Sequence, residues 1–339
     1  MRILVVGAGA IGGYFDARLL QAGRDVTFLV RPRRAAHLAK SGLSIQSRVG
    51  DFHDPAPPLV TEEGLAEPFD LVILSCKAYD LDGAIASFAK AVGPDTAILP
   101  LLNGMRQLDV LGDRFGAERV LGGLCVISAT LDADGRIIHL NDLHSLTFGE
   151  LDGTRSPRIE RVASALIGAG FDARLSDEIL QDMWEKWVFI AAAAGATCLT
   201  RAAIGDIVAA GGADLASALL DECAAIAAHQ GFPPHGPYLE RTRATVTAPG
   251  SPLEASMLRD IEGGQRAEGD HILGDLLRRA ARPDPHSLLR EPKSDQARPR
   301  KTKEKDLGFL GFIRPIRGFS MGYGQPKAKK LSTPPRPAA

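Results

Sequence analysis

Apolar positions near the start of the chain change period twice. Residues 3–6 form a short continuous apolar run. Tyr14, Phe15, Leu19 and Leu20 then recur at helical spacing, and residues 26–30 form a second run rich in apolar and β-branched side chains. The pattern predicts strand, helix, strand, with Gly7, Ala8, Gly9, Ala10, Ile11 and Gly12 in the first turn and Gly23 closing the helix. Further along, a helix is predicted over 35–40, a short strand at Ser44 and Ile45, a Pro-rich loop at 55–58 and a helix over 82–91. Apolar runs at 69–74 and 96–102 read as strands buried on both faces of a parallel sheet. Runs at 120–129, 136–140 and 145–149 read as strands, with Asp134 and Gly135 turning the first two into a hairpin. A helix over 157–169 and a strand near 171–175 follow.

From 177 to 280 the period is helical almost throughout. Ile179, Leu180, Met183, Trp184, Trp187, Val188 and Ala191 share one broad apolar face. Further helices are predicted over 215–230 and 254–279. The expected fold class is α/β: a doubly wound sheet in 1–175, an all-helical domain in 176–283, and a Pro-rich basic tail in 284–339.

The glycine turn carries the first chemical signal. G-x-G-x-x-G between a strand and a helix is the dinucleotide-binding signature of a Rossmann domain. Gly7 permits the tight turn, Gly9 lets a pyrophosphate approach the backbone, and Gly12 lets helix and strand pack closely. The helix N-terminus offers free N–H groups to the phosphates. The second strand ends in Arg31, Pro32, Arg33 and Arg34 without an acid to grip ribose hydroxyls. Arginine there suits the 2′-phosphate of NADP(H), with Arg31 the first candidate, against the alternative of a solvated basic turn.

Ligands of doubly wound sheets bind outside the carboxyl ends of the strands. Lys77 follows the strand at 69–74, and Asn103 follows the strand at 96–102. Lys77 is read as a cofactor neighbour or as a solvated loop lysine. Asn103, before Gly104, either shapes a turn or presents its amide to nicotinamide or substrate. Lys186 lies inside an apolar helix and precedes fourteen uncharged residues. It is either a snorkelling lysine or an acid whose pKa desolvation has brought toward neutrality. Ser256 and Glu268 lie twelve residues apart, about 120° around a straight helix, so spacing does not unite them. Gly263 and Gly264 between them are candidates for a bend or break.

Bulk properties narrow the classes. The formal net charge of −1 hides 14 Lys and Arg against 5 Asp and Glu from Ala281 onward, which leaves the body at −10. An acidic body argues against nucleic-acid binding by the main fold. No apolar run is long enough to span a membrane, and the N-terminus enters a strand directly without a signal segment. Cys76, Cys125, Cys198 and Cys223 are scattered and read as reduced thiols of a cytoplasmic protein, and the histidines form no metal motif.

The segments GAGAIGG, LSCKAYD, LLNGM, DMWEKWVF and ASMLRDIEGGQRAEGD, in that order over residues 1–280, resemble the 2-dehydropantoate 2-reductases (ketopantoate reductases). The resemblance implies a Rossmann domain and a helical domain like that of 6-phosphogluconate dehydrogenase, with the active site between them. It implies NADPH-dependent reduction of 2-dehydropantoate to (R)-pantoate on the route to pantothenate, with no metal. Carried over residue by residue, it implies that Gly7 to Gly12 hold the pyrophosphate and Arg31 the 2′-phosphate. Lys77 and Asn103 would lie along the cofactor, Asn103 also facing substrate, and Ala129 at the nicotinamide end. Lys186 would be the general acid and a substrate contact, Ser256 a further substrate contact, and Glu268 a neighbour of the nicotinamide ribose.

The chain departs from the family pattern in places. Ile190 and Ala194 stand where the family has asparagines that hold the substrate, and Gly269 stands where an aliphatic residue is expected. After Ala280 the resemblance ends in a Pro-rich basic segment, read as a disordered extension or the product of a frame change. Two alternatives therefore stand beside 2-dehydropantoate reduction: a related 2-oxo or 2-hydroxy acid oxidoreductase, and a non-catalytic NADP(H)-binding paralogue. The expected partner is a small 2-oxo acid, and a homodimer is left open.

Overall fold

The computed structural model describes residues 1–281, so the expectations for the tail from 284 onward lie outside the described residues. The first half alternates β1 (Arg2–Val6), α1 (Ala10–Gln21), β2 (Asp25–Leu29), α2 (Pro32–Ser41), β3 (Leu43–Gln46), β4 (Phe52–Asp54) and β5 (Leu59–Val60). Then come β6 (Leu71–Leu74), α3 (Leu81–Phe88), β7 (Ala97–Pro100) and α4 (Arg106–Phe115). Strands β5-β2-β1-β6-β7 form one parallel sheet. The order reverses between β1 and β6, which opens a crevice at their carboxyl ends.

The continuous apolar runs have a simple cause. Alternate residues of each strand enter different cores. Ile3 and Val5 pack with Tyr14, Phe15 and Leu19 of α1, whereas Leu4 and Val6 pack with Leu81, Ile85 and Phe88 of α3. Both faces of the sheet are covered, so neither face of the strand can be polar.

A second sheet leaves the doubly wound one. It orders β10 (Asp172–Leu175), β9 (Ile137–Glu150), β3 and β4, with β8 (Leu121–Leu131) also paired to β9; α5 (Pro157–Leu166) lies between β9 and β10 in sequence. The strands expected at 136–140 and 145–149 are one strand, with an irregularity opposite Ile127 and Ala129.

The rest is helical: α6 (Ile179–Thr200), α7 (Ile204–Ala209), α8 (Ala213–His229), α9 (Gly236–Val246), α10 (Ser256–Glu262) and α11 (Asp275–Ala280). The helix expected over 254–279 is broken. Gly264 takes φ +65°, and Gln265 N–H donates back to Asp260 O at 2.7 Å, which caps α10. An irregular stretch leads to a π-helical turn, Asp270–Gly274, that runs straight into α11. Helix α6 is the axis of this domain. Trp187 is fully buried beside Trp184, and its indole N–H donates to Ile272 O at 3.0 Å. Among the described residues, no helix is long and apolar enough to cross a membrane.

Candidate active site

The crevice starts at the glycine turn. Gly7 adopts φ +96°, a conformation that disfavours any side chain, and its N–H donates to Leu29 O at 2.9 Å. Gly9 is the N-cap of α1, and no side chain caps that helix. A Cβ built on Gly9 meets nothing within 4 Å, so the helix end faces open space. At Gly12 a Cβ would stand 2.0 Å from Ser75 Oγ and 3.1 Å from Ser75 Cβ, because β6 ends against the helix there. The cradle has room and unpartnered donors for a pyrophosphate, which Ala8, Ala10 and Ile11 do not obstruct with charge. Arg31 follows β2, is largely exposed, and stands 3.7 Å from Asp80. Arg34 turns inward and donates to Ala8 O and Gly135 O at 3.2 and 3.1 Å.

Lys77, just after β6, crosses to the helical domain. Its ammonium is 2.8 Å from Asp260 Oδ2 and 3.5 Å from Glu268 Oε2. Glu268 also accepts the Ala78 N–H at 2.8 Å. Burial alone pulls the Lys77 pKa down, but the hydrogen bond to Asp260 and the charge of Glu268 outweigh it, so the net shift is upward. The break after α10 lets acids eight residues apart share one cation. Next to them, the Arg266 guanidinium lies 4.5 Å over the Tyr79 ring.

Lys186 is half-buried in α6 and donates to Cys125 O, on β8, at 2.6 Å. Among the described residues no carboxylate pairs with it, and desolvation holds its pKa below the ordinary lysine value. Asn103 is half-buried after β7. Its backbone carbonyl is 2.6 Å from His271 Nε2, and its side-chain amide makes no hydrogen bond among the described residues. Ser256 is the exposed first residue of α10. Ala129 sits half-buried on β8 opposite His139, four residues beyond the carbonyl that Lys186 holds. The structure thus joins Lys77 to Glu268 and ties Lys186 to β8. It gives Ser256 and Ala129 no polar link to these groups.

The thiols are not nucleophile candidates: burial and the nearby Asp80 and Glu268 carboxylates push Cys76 up to about 12, and burial raises Cys125. Among the described residues, no cluster of His, Cys, Asp or Glu could hold a metal.

Residues 3–153 match the profile of the family Ketopantoate reductase PanE/ApbA, and residues 178–284 match that of its C-terminal domain. The chain belongs to the ketopantoate reductase family. An uncharacterized oxidoreductase of Bacillus subtilis strain 168, YkpB, is 40% identical over 283 residues, covering 83% of this chain and 93% of its own. A 2-dehydropantoate 2-reductase of Archaeoglobus fulgidus is 29% identical, covering 82% of this chain and 90% of its own. Among solved structures, 2-dehydropantoate 2-reductase from Geobacter metallireducens GS-15 superposes with a TM-score of 0.75 at 31% identity, over 83% of this chain and 93% of that one. The protein is thus a dinucleotide-binding oxidoreductase of the ketopantoate reductase type, with the α/β two-domain fold of that family.

Within this ketopantoate reductase frame, the sequence left several neighbours of the cleft unremarked. Asp260 carried a faint signal, an acid shortly before a Gly-Gly break. His271 carried none, because an isolated histidine near a helix start has no diagnostic spacing. Backbone partners such as Cys125 O and Ala78 N–H have no side-chain signature at all.

Proposed function

We propose that the protein uses NADPH to reduce the C2 carbonyl of a small 2-oxo acid, with 2-dehydropantoate, giving (R)-pantoate, the first candidate substrate. The observation that carries this reading is the state of Lys186. Its ammonium is desolvated, held by a neutral carbonyl at 2.6 Å, and has a lowered pKa. Such a group gives up its proton more readily than an ordinary lysine, without leaving a carboxylate stranded. A bound nicotinamide would supply hydride for C2. Lys186 donates the proton to the carbonyl oxygen, and its charge offsets the alkoxide as it develops. The free amide of Asn103 orients the substrate, Ser256 adds a hydroxyl at the rim, and Glu268, fixed by Lys77 and Ala78 N–H, meets the ribose end. Gly7 to Gly12 would hold the pyrophosphate, and Ala129 would lie at the nicotinamide end. Arg31, largely exposed beside Asp80, would hold the 2′-phosphate.

A second reading has its own observation. Phe189 and Ile190 are half-buried apolar residues three and four positions after Lys186, on the same face of α6. Ala194, a further turn along, is fully apolar and buried. This wall favours a 2-oxo acid with an apolar side chain over one with a hydroxyl.

The test is NADPH consumption by the purified full chain with 2-dehydropantoate and a panel of apolar and aromatic 2-oxo acids, repeated with NADH. Turnover of 2-dehydropantoate above the panel supports the first reading, and preference for an apolar acid supports the second. Lys186→Ala is expected to lower kcat by about 10²–10⁴-fold while cofactor binding persists. Wild-type kcat should fall as pH rises through the lowered Lys186 pKa, because the proton donor is then lost. Cofactor binding with no turnover of any acid sinks both readings and leaves a binding-only protein.

A further inference from the structure

The turn that carries Asn103 is held from the other domain. Gly104 has φ +79°, and a Cβ built there would stand 3.2 Å from His271 Nε2 and 3.3 Å from its Cδ2. The imidazole therefore lies against the bare side of the turn. Nε2 is 2.6 Å from Asn103 O, so the ring donates its Nε2–H to that carbonyl. His271 is buried, and it belongs to the π-helical turn Asp270–Gly274, a geometry that interrupts regular helices at functional sites.

That π-turn is itself anchored. The next residue, Ile272, accepts the indole N–H of Trp187 at 3.0 Å, and Trp187 follows Lys186 in α6. On its other side, Asp270 is 3.0 Å from Arg278 and 3.8 Å from Arg106, the first residue of α4. A continuous path of direct bonds thus runs from the helix of the proton donor, through Ile272 and His271, to the backbone of Asn103.

The turn also has internal bonds of its own. Gln107 Nε2 already donates to Gly104 O at 2.7 Å and to Leu102 O at 3.2 Å within the same segment. What the imidazole adds is a fixed relation between the turn and the helical domain.

We propose that His271 is a positioning residue: its Nε2–H···O bond to Asn103 sets the Asn103 amide against the Lys186 ammonium, so that one 2-oxo acid meets both. This rests on the reading that Asn103 and Lys186 face the substrate. Burial pushes the imidazole pKa down and so favours the neutral ring, against the pull of the Asn103 carbonyl and of Glu268 and Asp275, and Arg106 acts in the same direction as burial. The neutral ring must carry its proton on Nε2.

The test compares wild type with His271→Phe, which keeps an aromatic ring without the donor, and His271→Gln, whose amide N–H can reach the same carbonyl. Phe should raise KM for the oxo acid by about tenfold, the worth of one well-made hydrogen bond, while NADPH affinity and the thermal transition stay near wild type. Gln should recover most of the loss. Amide hydrogen exchange across 102–107 should be faster with Phe and restored with Gln, a readout that needs no turnover. Wild-type exchange and KM in the Phe variant overturn the proposal. So does a loss that Gln does not recover and that NADPH affinity shares. A wild type that turns over no acid fails the functional reading alone, and the exchange comparison still decides the role of His271.

Discussion

Two titratable side chains, Lys186 and Asp16, are each pushed toward their neutral form by desolvation. Lys186 has a carbonyl at 2.6 Å. Asp16, on α1 one turn beyond Gly12, is fully buried, and neither of its carboxyl oxygens has a partner among the described residues. Desolvation therefore raises the Asp16 pKa well above the ordinary carboxylate value. The sign for stability follows. A carboxyl whose folded pKa exceeds its unfolded pKa contributes fully below the unfolded value of about 3.9 and loses that contribution as pH rises through the folded value. Asp16→Asn removes the titration. It should stabilise the protein by about 1–3 kcal/mol at pH ~8 and much less at pH ~5, read from denaturant midpoints at the two pH values. An equal effect at both would mean that Asp16 titrates alike in the folded and unfolded chains, and would refute the raised pKa.

At the scale of elements, the glycine turn separates packing from binding. A Cβ on Gly12 collides with Ser75, whereas a Cβ on Gly9 meets nothing within 4 Å among the described residues. Gly12→Ala should cost about 1–3 kcal/mol by overpacking, and Ser75→Gly in the same chain should return most of it. Gly9→Ala should leave the thermal transition unchanged and weaken NADPH binding by at least about tenfold, because the methyl takes the space of the pyrophosphate. Calorimetry and cofactor titration on the same variants check both; a destabilised Gly9→Ala would refute the separation.

This turn was readable in the sequence because its glycines, the runs at 3–6 and 26–30 and the helical spacing between them all express local geometry. Lys77 and Asn103 were readable for a related reason: a strand's end fixes where its next residue stands. The second sheet was readable only in part: the hairpin of β8 and β9 around Asp134 and Gly135 was expected, but β3 pairs with β9 some ninety residues later and nothing local announces that pairing. The meeting of Asp260 and Glu268 on Lys77 was not readable either. It depends on how Gly264 redirects the chain, and helical spacing places those residues on different faces.

At the scale of the molecule, polar bonds cross the cleft at both of its ends. Lys77 with Asp260 and Glu268 closes one end, and His271 with Asn103 holds the β7 turn, while Arg279 on α11 pairs with Asp109 on α4. Each of these bonds joins a residue of the sheet half to a residue of the helical half. Loss of Lys77 leaves Asp260 and Glu268 without the cation they share. Lys77 is partly exposed, so solvent screens much of the pair's contribution to stability, and the effect belongs to lobe geometry more than to the folding equilibrium. Its raised pKa means that the clamp is complete below the unfolded lysine value of about 10.4 and is lost only as pH rises through the folded one; deprotonation of Lys77 leaves it closed through the neutral range. Lys77→Met should therefore shift the thermal transition by no more than a few degrees. It should raise amide exchange across 260–268 and weaken NADPH binding, because Glu268 then lacks the cation that aims it. Wild-type exchange in that segment would show that the Ala78 N–H bond alone holds Glu268, and that the lobes meet through packing rather than charge.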